Sequence, residues 1–231
     1  KINSMKIAMV VFDMAGTTVN EGNVVYRTLH KAIEKKCPSI SFEDVLKWGA
    51  GKEKLQAIKE TLSGNNISLN EATIQEIFKD FLGLLDIAYA NLIVVPTNNT
   101  ERLFNELRAM EIKVVLNTGY NTITAISLLN KLNWVKGVHY DLLVTSSDVS
   151  NNRPKPDMIL FAMDKLGIND AATVIKVGDS TIDIEEGRNA GCIYNIGVTT
   201  GAHTKAELLT ANPEYIFDNI YDLKSLITSL T

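Results

Sequence analysis

Residues 10–18 read Val-Val-Phe-Asp-Met-Ala-Gly-Thr-Thr, an apolar run that stops on Asp13 and meets a glycine at position 16. No polar side chain interrupts residues 7–12, so this segment is too apolar for a strand with one wet face and predicts a central strand covered on both sides. A carboxylate directly after such a strand stands at the carboxyl edge of the sheet, where open α/β folds place their ligands. The same pattern recurs along the chain. Residues 113–116, 142–144, 174–177 and 192–196 are further strand candidates, and helical periodicity marks residues 100–110, 122–132, 157–166, 182–190 and 205–211. Strands alternating with single helices read as βαβ units and predict an α/β fold built on a doubly wound parallel sheet.

Residues 21–92 break this rhythm. They contain amphipathic segments near 24–35, 54–62 and 74–89 and no convincing strand, which predicts a helical insert between two parts of one core, residues 1–20 and 93–231. An insert in the first βα connection emerges at the carboxyl edge of the sheet and is placed to act as a lid. The core resumes around Pro96, after which the polar run 97–100 is expected to cap the next helix.

Composition sets the remaining bounds. A chain of 231 residues, 45% hydrophobic and 22% charged, suits one α/β core with a smaller insert and carries no low-complexity tract. The formal net charge of −4, with acids and lysines interleaved, offers no basic footprint for nucleic acid or an anionic membrane, so a small-molecule substrate is expected. No apolar run approaches the roughly 18 residues of a membrane span, and no signal-peptide pattern opens the sequence, which predicts a cytoplasmic protein. Cys37 and Cys192 lack the spacing of a zinc site or redox pair and are expected to be reduced and structural. His30, His139 and His203 show no metal spacing either and are expected in surface or loop positions. Segments such as 24–35 can pack internally or pair two copies, so a homodimer stays open.

Four polar clusters follow the core strands: Asp13, then Asn117-Thr118-Gly119, then Arg153-Pro-Lys-Pro, then Gly178-Asp179 with Asp183. Singly, each has an ordinary explanation, since Asp, Asn, Thr and Gly are common strand-end and helix-cap residues. In a parallel sheet all four meet at one edge. Together they supply carboxylates, a hydroxyl beside a backbone nest and a fixed cation, the inventory for phosphoryl transfer with a hard metal ion.

With these four clusters in this order, the chain resembles the haloacid dehalogenase superfamily of aspartyl-phosphate-forming hydrolases along essentially its whole length. Asp-Met-Ala-Gly-Thr-Thr, Asn-Thr-Gly-Tyr, Arg-Pro-Lys-Pro and Lys-Val-Gly-Asp-Ser with Glu-Gly-Arg-Asn-Ala-Gly look most like its phosphonatase-like members. The resemblance implies a Rossmann-like core with an α-helical cap at residues 21–92. It implies Asp13 as nucleophile, Thr118, Gly119 and Arg153 as phosphate-binding residues, and Mg²⁺ held by Asp13, the Ala15 carbonyl and Asp179, with Asp183 ordering that shell. The expected substrate is a small phosphate or phosphonate. A phosphomutase and a catalytically silent phosphate-binding scaffold are the competing readings.

Ala15 discriminates within the family. Most of its phosphatases resemble one another in having a second aspartate there, acting as general acid for the leaving group, and a methyl group cannot do this. Phosphonatase is similar to this chain in having the alanine, and there a cap lysine forms a Schiff base with an aldehyde. The matching residue is Lys52, in Trp48-Gly49-Ala50-Gly51-Lys52, where two glycines allow close approach of the backbone. Leu55 stands where phosphonatase has a proton-transferring histidine, and Lys155 where an aromatic residue is expected, so the chain fits the relatives of phosphonatase better than that enzyme.

Overall fold

A computed structural model describes residues 6–230. Six parallel strands, β1 (Met9–Asp13), β4 (Lys113–Thr118), β5 (Leu142–Thr145), β6 (Val174–Gly178), β7 (Tyr194–Val198) and β8 (Tyr215–Phe217), form one sheet in the order β5-β4-β1-β6-β7-β8. From β1 the chain builds outward to β4 and β5, then crosses back to add β6, β7 and β8. The order therefore reverses between β1 and β6, and in a doubly wound sheet that reversal opens a crevice at the carboxyl ends.

Period-two alternation along β1 divides the core. Val10 and Phe12 face one layer, with Leu103, Phe104 and Leu107 of α5 (Thr100–Ala109) and Leu223 and Ile227 of α10 (Asp222–Leu230). Met9 and Val11 face the other, with Met158, Ile159 and Ala162 of α7 (Asp157–Leu166) and Ala190 of α8 (Thr181–Ala190). Helices on both faces explain why these strands are apolar on both sides.

A two-stranded antiparallel ribbon, β2 (Val19–Asn20) with β3 (Val95–Pro96), pairs Val19 with Pro96 and Asn20 with Val95. Between its strands run α1 (Val24–Glu34), α2 (Phe42–Gly49), α3 (Lys54–Gly64) and α4 (Glu71–Ala90), packed on one another through Leu29, Ile33, Ile58, Leu62, Ile77 and Phe81. α2 runs through Trp48 and Gly49 and ends before Gly51-Lys52. Its start is fixed by a capping box in which Ser41 Oγ accepts from Asp44 N–H (3.1 Å) and Asp44 Oδ2 accepts from Ser41 N–H (2.9 Å).

Several boundaries move. The fifth expected strand begins at Tyr194 rather than residue 192, because Gly191 turns left-handed at φ 81° and Cys192 N–H still bonds back to Gly187 O at 3.0 Å. β8, α10 and the ribbon have no counterpart in the sequence reading. The polar run 97–100 does not cap α5 as expected. Asn99 holds the cap position with no side-chain bond, and Thr97 Oγ1 instead donates to Thr17 O (2.6 Å), fastening the ribbon to the loop after β1. No helix among the described residues is long and apolar enough to cross a membrane. Cys37 and Cys192 are free and buried.

Candidate active site

Asp13 closes β1 beside Asn117 of β4, and on its other side β6 ends at Gly178 before the chain turns through Asp179 into α8. Gly178 leaves the room this turn needs, since a Cβ there would lie 2.1 Å from Asp183 Cγ. Asp13, Asp179 and Asp183 are all buried, and one oxygen from each lies within 4.8 Å of the other two. Gly16 and Gly201 wrap Asp179, where a Cβ would come within 2.3 and 1.9 Å of Oδ2. That oxygen accepts from Ala202 N–H at 2.6 Å.

Beneath the carboxylates lies a buried charge network centred on Arg153. Its Nη1 donates to Asp13 Oδ1 (2.8 Å) and pairs with Asp183 Oδ1 (3.1 Å), and its Nε pairs with Glu186 Oε2 (3.0 Å). Nη2 donates to Asn117 O at 2.9 Å and also to Asn117 Oδ1. Lys176, inside β6, reaches Asp183 Oδ1 (2.9 Å), Glu186 Oε2 (3.4 Å) and Asn117 Oδ1 (2.8 Å). Asn117 Nδ2 completes the set by donating to Glu186 Oε1 at 2.9 Å. Buried charges persist only when paired and bonded in this way.

Asp183 has two occupations. Oδ1 faces the two cations, while Oδ2 accepts from Ser180 Oγ (2.6 Å) and Ser180 N–H (3.2 Å), closing a capping box on α8. Burial pushes its carboxyl up, but the charges of Lys176 and Arg153 overcome this and hold it below the usual range. The other two carboxyls move the opposite way. Burial and the charge of Asp183 raise Asp13 against the pull of Arg153, and burial with the charges of Asp13 and Asp183 raises Asp179 well above its ordinary value. Around Asp13 and Asp179 the site is thus short of positive charge. An all-oxygen donor set in that condition fits a hard divalent cation.

The model of the haloacid dehalogenase-like hydrolase family matches residues 7–191 of the sequence. The chain belongs to that family. Phosphonoacetaldehyde hydrolase of Bacillus cereus is 32% identical over 209 residues, covering 86% of this chain and 78% of that protein. A bifunctional phosphonoacetaldehyde hydrolase/aminoethylphosphonate transaminase of Clostridioides difficile is 30% identical over 215 residues, 87% of this chain and 33% of its own length. The solved structure of a phosphonoacetaldehyde hydrolase-like protein from Oleispira antarctica has a TM-score of 0.83 at 23% identity, covering 98% and 93% of the two chains, which shows the shared fold.

In this hydrolase the loop after α2 lies against the sheet edge. Gly51 O accepts from Arg153 Nη1 (3.3 Å), Gly51 N–H donates to Tyr26 Oη (2.9 Å), and a Cβ on Gly119 would come within 2.7 Å of Lys52 O. Thr118 is buried, with Oγ1 accepting from Tyr120 N–H at 3.1 Å. Ala15 is buried at the first turn after β1. Asp13, Ala15, Thr118, Gly119, Arg153, Asp179 and Asp183 thus share one sheet edge. Lys52 brings its backbone there too, while its ammonium pairs with Glu60 of α3. Lys54, two residues on, is the buried lysine: its Nζ donates to Lys52 O (2.6 Å) and lies 4.9 Å from the ring centroids of Tyr26 and Tyr120.

Sequence reading assigned no role to Lys176, Glu186, Lys54 or Glu21. Two of them left a trace. A lysine inside the apolar run Val-Ile-Lys-Val-Gly has to be paired wherever that strand is buried, and Glu186 follows Asp183 by three residues on one helix face. Glu21 and Lys54 left none, because they meet only when the insert folds. His203 lies in a loop, as expected, but is buried there: its Nδ1 accepts from Thr181 N–H (3.1 Å) and its Nε2 faces Leu46 O of α2 (3.2 Å), tying the loop after β7 to the insert.

Proposed function

We propose that this protein is a Mg²⁺-dependent phosphohydrolase that works through an aspartyl-phosphate on Asp13 and acts on a small phosphorylated or phosphonate metabolite. The observation that carries the reading is the convergence of three buried carboxylates with Arg153, whose guanidinium touches Asp13 Oδ1 at 2.8 Å. An Arg–Asp contact of this kind orients the attacking carboxylate and opposes the burial that raises it. The relatives named as phosphonoacetaldehyde hydrolases support the substrate class.

Asp13 attacks phosphorus, forming a carboxyl–phosphate bond that water later opens, so one difficult displacement becomes two easier ones. Arg153, the Thr118 hydroxyl and the Gly119 amide receive the phosphoryl oxygens. Mg²⁺, held by Asp13, Asp179 and the Ala15 carbonyl, supplies positive charge to those oxygens when bound. Asp183, with both oxygens engaged by protein groups, acts from behind and keeps Arg153 and Lys176 in place. Residues 21–92 serve as a cap over the core, residues 1–20 and 93–231, excluding water through the Gly51–Gly119 contact.

The test is phosphate release from small phosphate esters, acyl phosphates and phosphonoacetaldehyde, with Mg²⁺ or with excess EDTA, alongside Asp13→Asn. Acid-quenched protein digested and mapped by mass spectrometry is expected to carry phosphate on Asp13. Full activity in Asp13→Asn, or equal rates with and without metal, would defeat the reading. A second reading, phosphonoacetaldehyde hydrolysis through an imine on Lys52, is favoured by the names of the relatives and by the place of Lys52 in the Gly51–Lys52 loop. Borohydride added with phosphonoacetaldehyde traps a mass adduct on Lys52 if it holds, and its absence during turnover excludes it.

A further inference from the structure

Ala15 leaves the core side of the site without a group to protonate a departing oxygen, yet a chamber lined by titratable side chains lies on the insert side. Lys54 and Tyr120 line it, and Glu21, Tyr26 and Tyr89 are buried as well. Lys54 Nζ lies 4.9 Å from the ring centroids of both Tyr26 and Tyr120, and the charge of Glu21 acts on Lys54 and on all three tyrosines. Three of their polar atoms, Glu21 Oε1, Tyr89 Oη and Tyr120 Oη, have no hydrogen-bond partner in the protein. Buried polar atoms are normally satisfied, and Tyr120, one of the three residues, lines a cavity together with Lys54, where a ligand oxygen would supply the missing bond.

Lys54 enters the chamber at the start of α3. One of its three N–H groups is used on Lys52 O, and among the described residues it makes no ion pair. The carbonyl it bonds, Lys52 O, is the one that a Cβ on Gly119 would meet at 2.7 Å, and Lys54 and Gly119 line one cavity, which sets the amine beside the phosphate-binding turn that follows Thr118. The cavity between Val25, Lys54, Phe81, Leu85, Gly119 and Tyr120 measures about 30 Å³, room for only a few non-hydrogen atoms.

We propose that Lys54, steadied by Glu21, is the proton donor and acceptor that Ala15 cannot be, and that the chamber takes a small oxygen leaving group carrying a second polar oxygen. The inference rests on the phosphohydrolase reading. In the first step the Asp13 O–P bond forms as the P–O bond to the leaving group breaks. The electron pair goes to the departing oxygen, which takes a proton from the Lys54 ammonium and leaves as an alcohol. In the second, water adds to phosphorus, the Asp13 O–P bond breaks with its electrons returning to the carboxylate, and a water proton restores the ammonium. Two titrations suit this traffic. Burial pulls Lys54 down to about 8 and pushes Glu21 up to about 7, so both exchange protons near neutrality.

Single-turnover release of the leaving group tests this, using alkyl phosphates of about two to four carbons and acetyl phosphate, whose acetate leaves without a proton. Lys54→Met is expected to slow release from the alkyl phosphates by about 10²- to 10⁴-fold and from acetyl phosphate by less than about tenfold. Lys54→Arg keeps the positive charge but cannot give up a proton near neutrality, so it should follow Lys54→Met; rescue by arginine would overturn the proposal. Glu21→Gln should move the alkaline limb of the alkyl-phosphate rate to lower pH, because the lost negative charge had favoured the ammonium. An equal loss on every leaving group, or unchanged alkyl-phosphate release, also overturns the role of Lys54 while leaving the phosphohydrolase intact if Asp13→Asn is inactive. A wild-type protein silent on every substrate overturns both readings.

Discussion

The floor and the roof of the site are built on opposite plans. In the floor, Arg153, Lys176, Asn117, Asp183 and Glu186 bond one another from several directions and are held in one arrangement. In the roof, Glu21, Tyr89 and Tyr120 are also buried, yet each keeps a polar atom without a protein partner. A floor that must stabilise the same phosphoryl group in every turnover gains from fixed dipoles. On the proposed reading, a roof that admits and releases an organic group gains from bonds left open to it.

The contrast makes graded predictions. Lys176→Met strips Asp183 and Glu186 of a buried cation and should destabilise the fold by about 3–5 kcal/mol, lowering Tm by roughly 10 °C in calorimetry. A change of less than about 2 °C would mean that the floor is not the rigid half. Glu21→Gln comes next. In the folded protein Glu21 is raised to about 7 from 4.5, so the folded state binds more protons than the unfolded one between those values. Stability associated with Glu21 is therefore present below about pH 4.5 and lost as pH rises to about 7, by roughly 3 kcal/mol. Denaturant titrations of wild type and Glu21→Gln across that window should differ by this slope, and parallel curves would show that Glu21 is not penalised in the roof.

Gly119→Ala tests the contact between the two halves. Its Cβ would meet Lys52 O at 2.7 Å and Gly51 O at 2.8 Å, both backbone atoms with little freedom to yield. Displacement of about 1 Å is expected to cost roughly 10²-fold in kcat/KM. Amide exchange at Gly51 and Lys52 should rise in parallel, and unaltered exchange with full activity would show that the close contact is dispensable. Tyr120→Phe is the mildest. It removes a hydroxyl with no protein partner and should change stability by less than about 1 kcal/mol, read as a Tm shift within about 4 °C.

The same division separates what was legible in the sequence from what was not. Asp13, Thr118 and Asp179 each sit at or just after the end of an apolar run, so locating the strands located them, while Arg153 and Asp183 lie farther on and were legible through the motifs Arg-Pro-Lys-Pro and Gly-Asp-Ser-Thr-Ile-Asp. Lys176 hid inside such a run, since hydrophobic patterning absorbs one polar residue without notice. Glu21 and Lys54 lie 33 positions apart in the numbering, and only the packing of α1, α3 and α4 brings them together. β8 escaped because Tyr-Ile-Phe is three residues long, and the ribbon because two-residue strands carry no period.

That ribbon has a consequence for what the core can carry. Because Val19 pairs with Pro96 and Asn20 with Val95, the chain leaves the sheet and returns to it at one spot. Seen from the core, the four helices between are the loop of a hairpin, and closing a loop twice as long adds only about 0.6 kcal/mol. The length of that loop is thus nearly free as far as closing the core is concerned, whereas its content is not, since Gly51 O bonds Arg153 and Lys52 O abuts Gly119. An insert grafted between residues 20 and 95 from another member of the family could vary in size at little cost to the core, but it would have to bring its own backbone contact to Arg153 and its own group in place of Lys54, as a fitted cassette does.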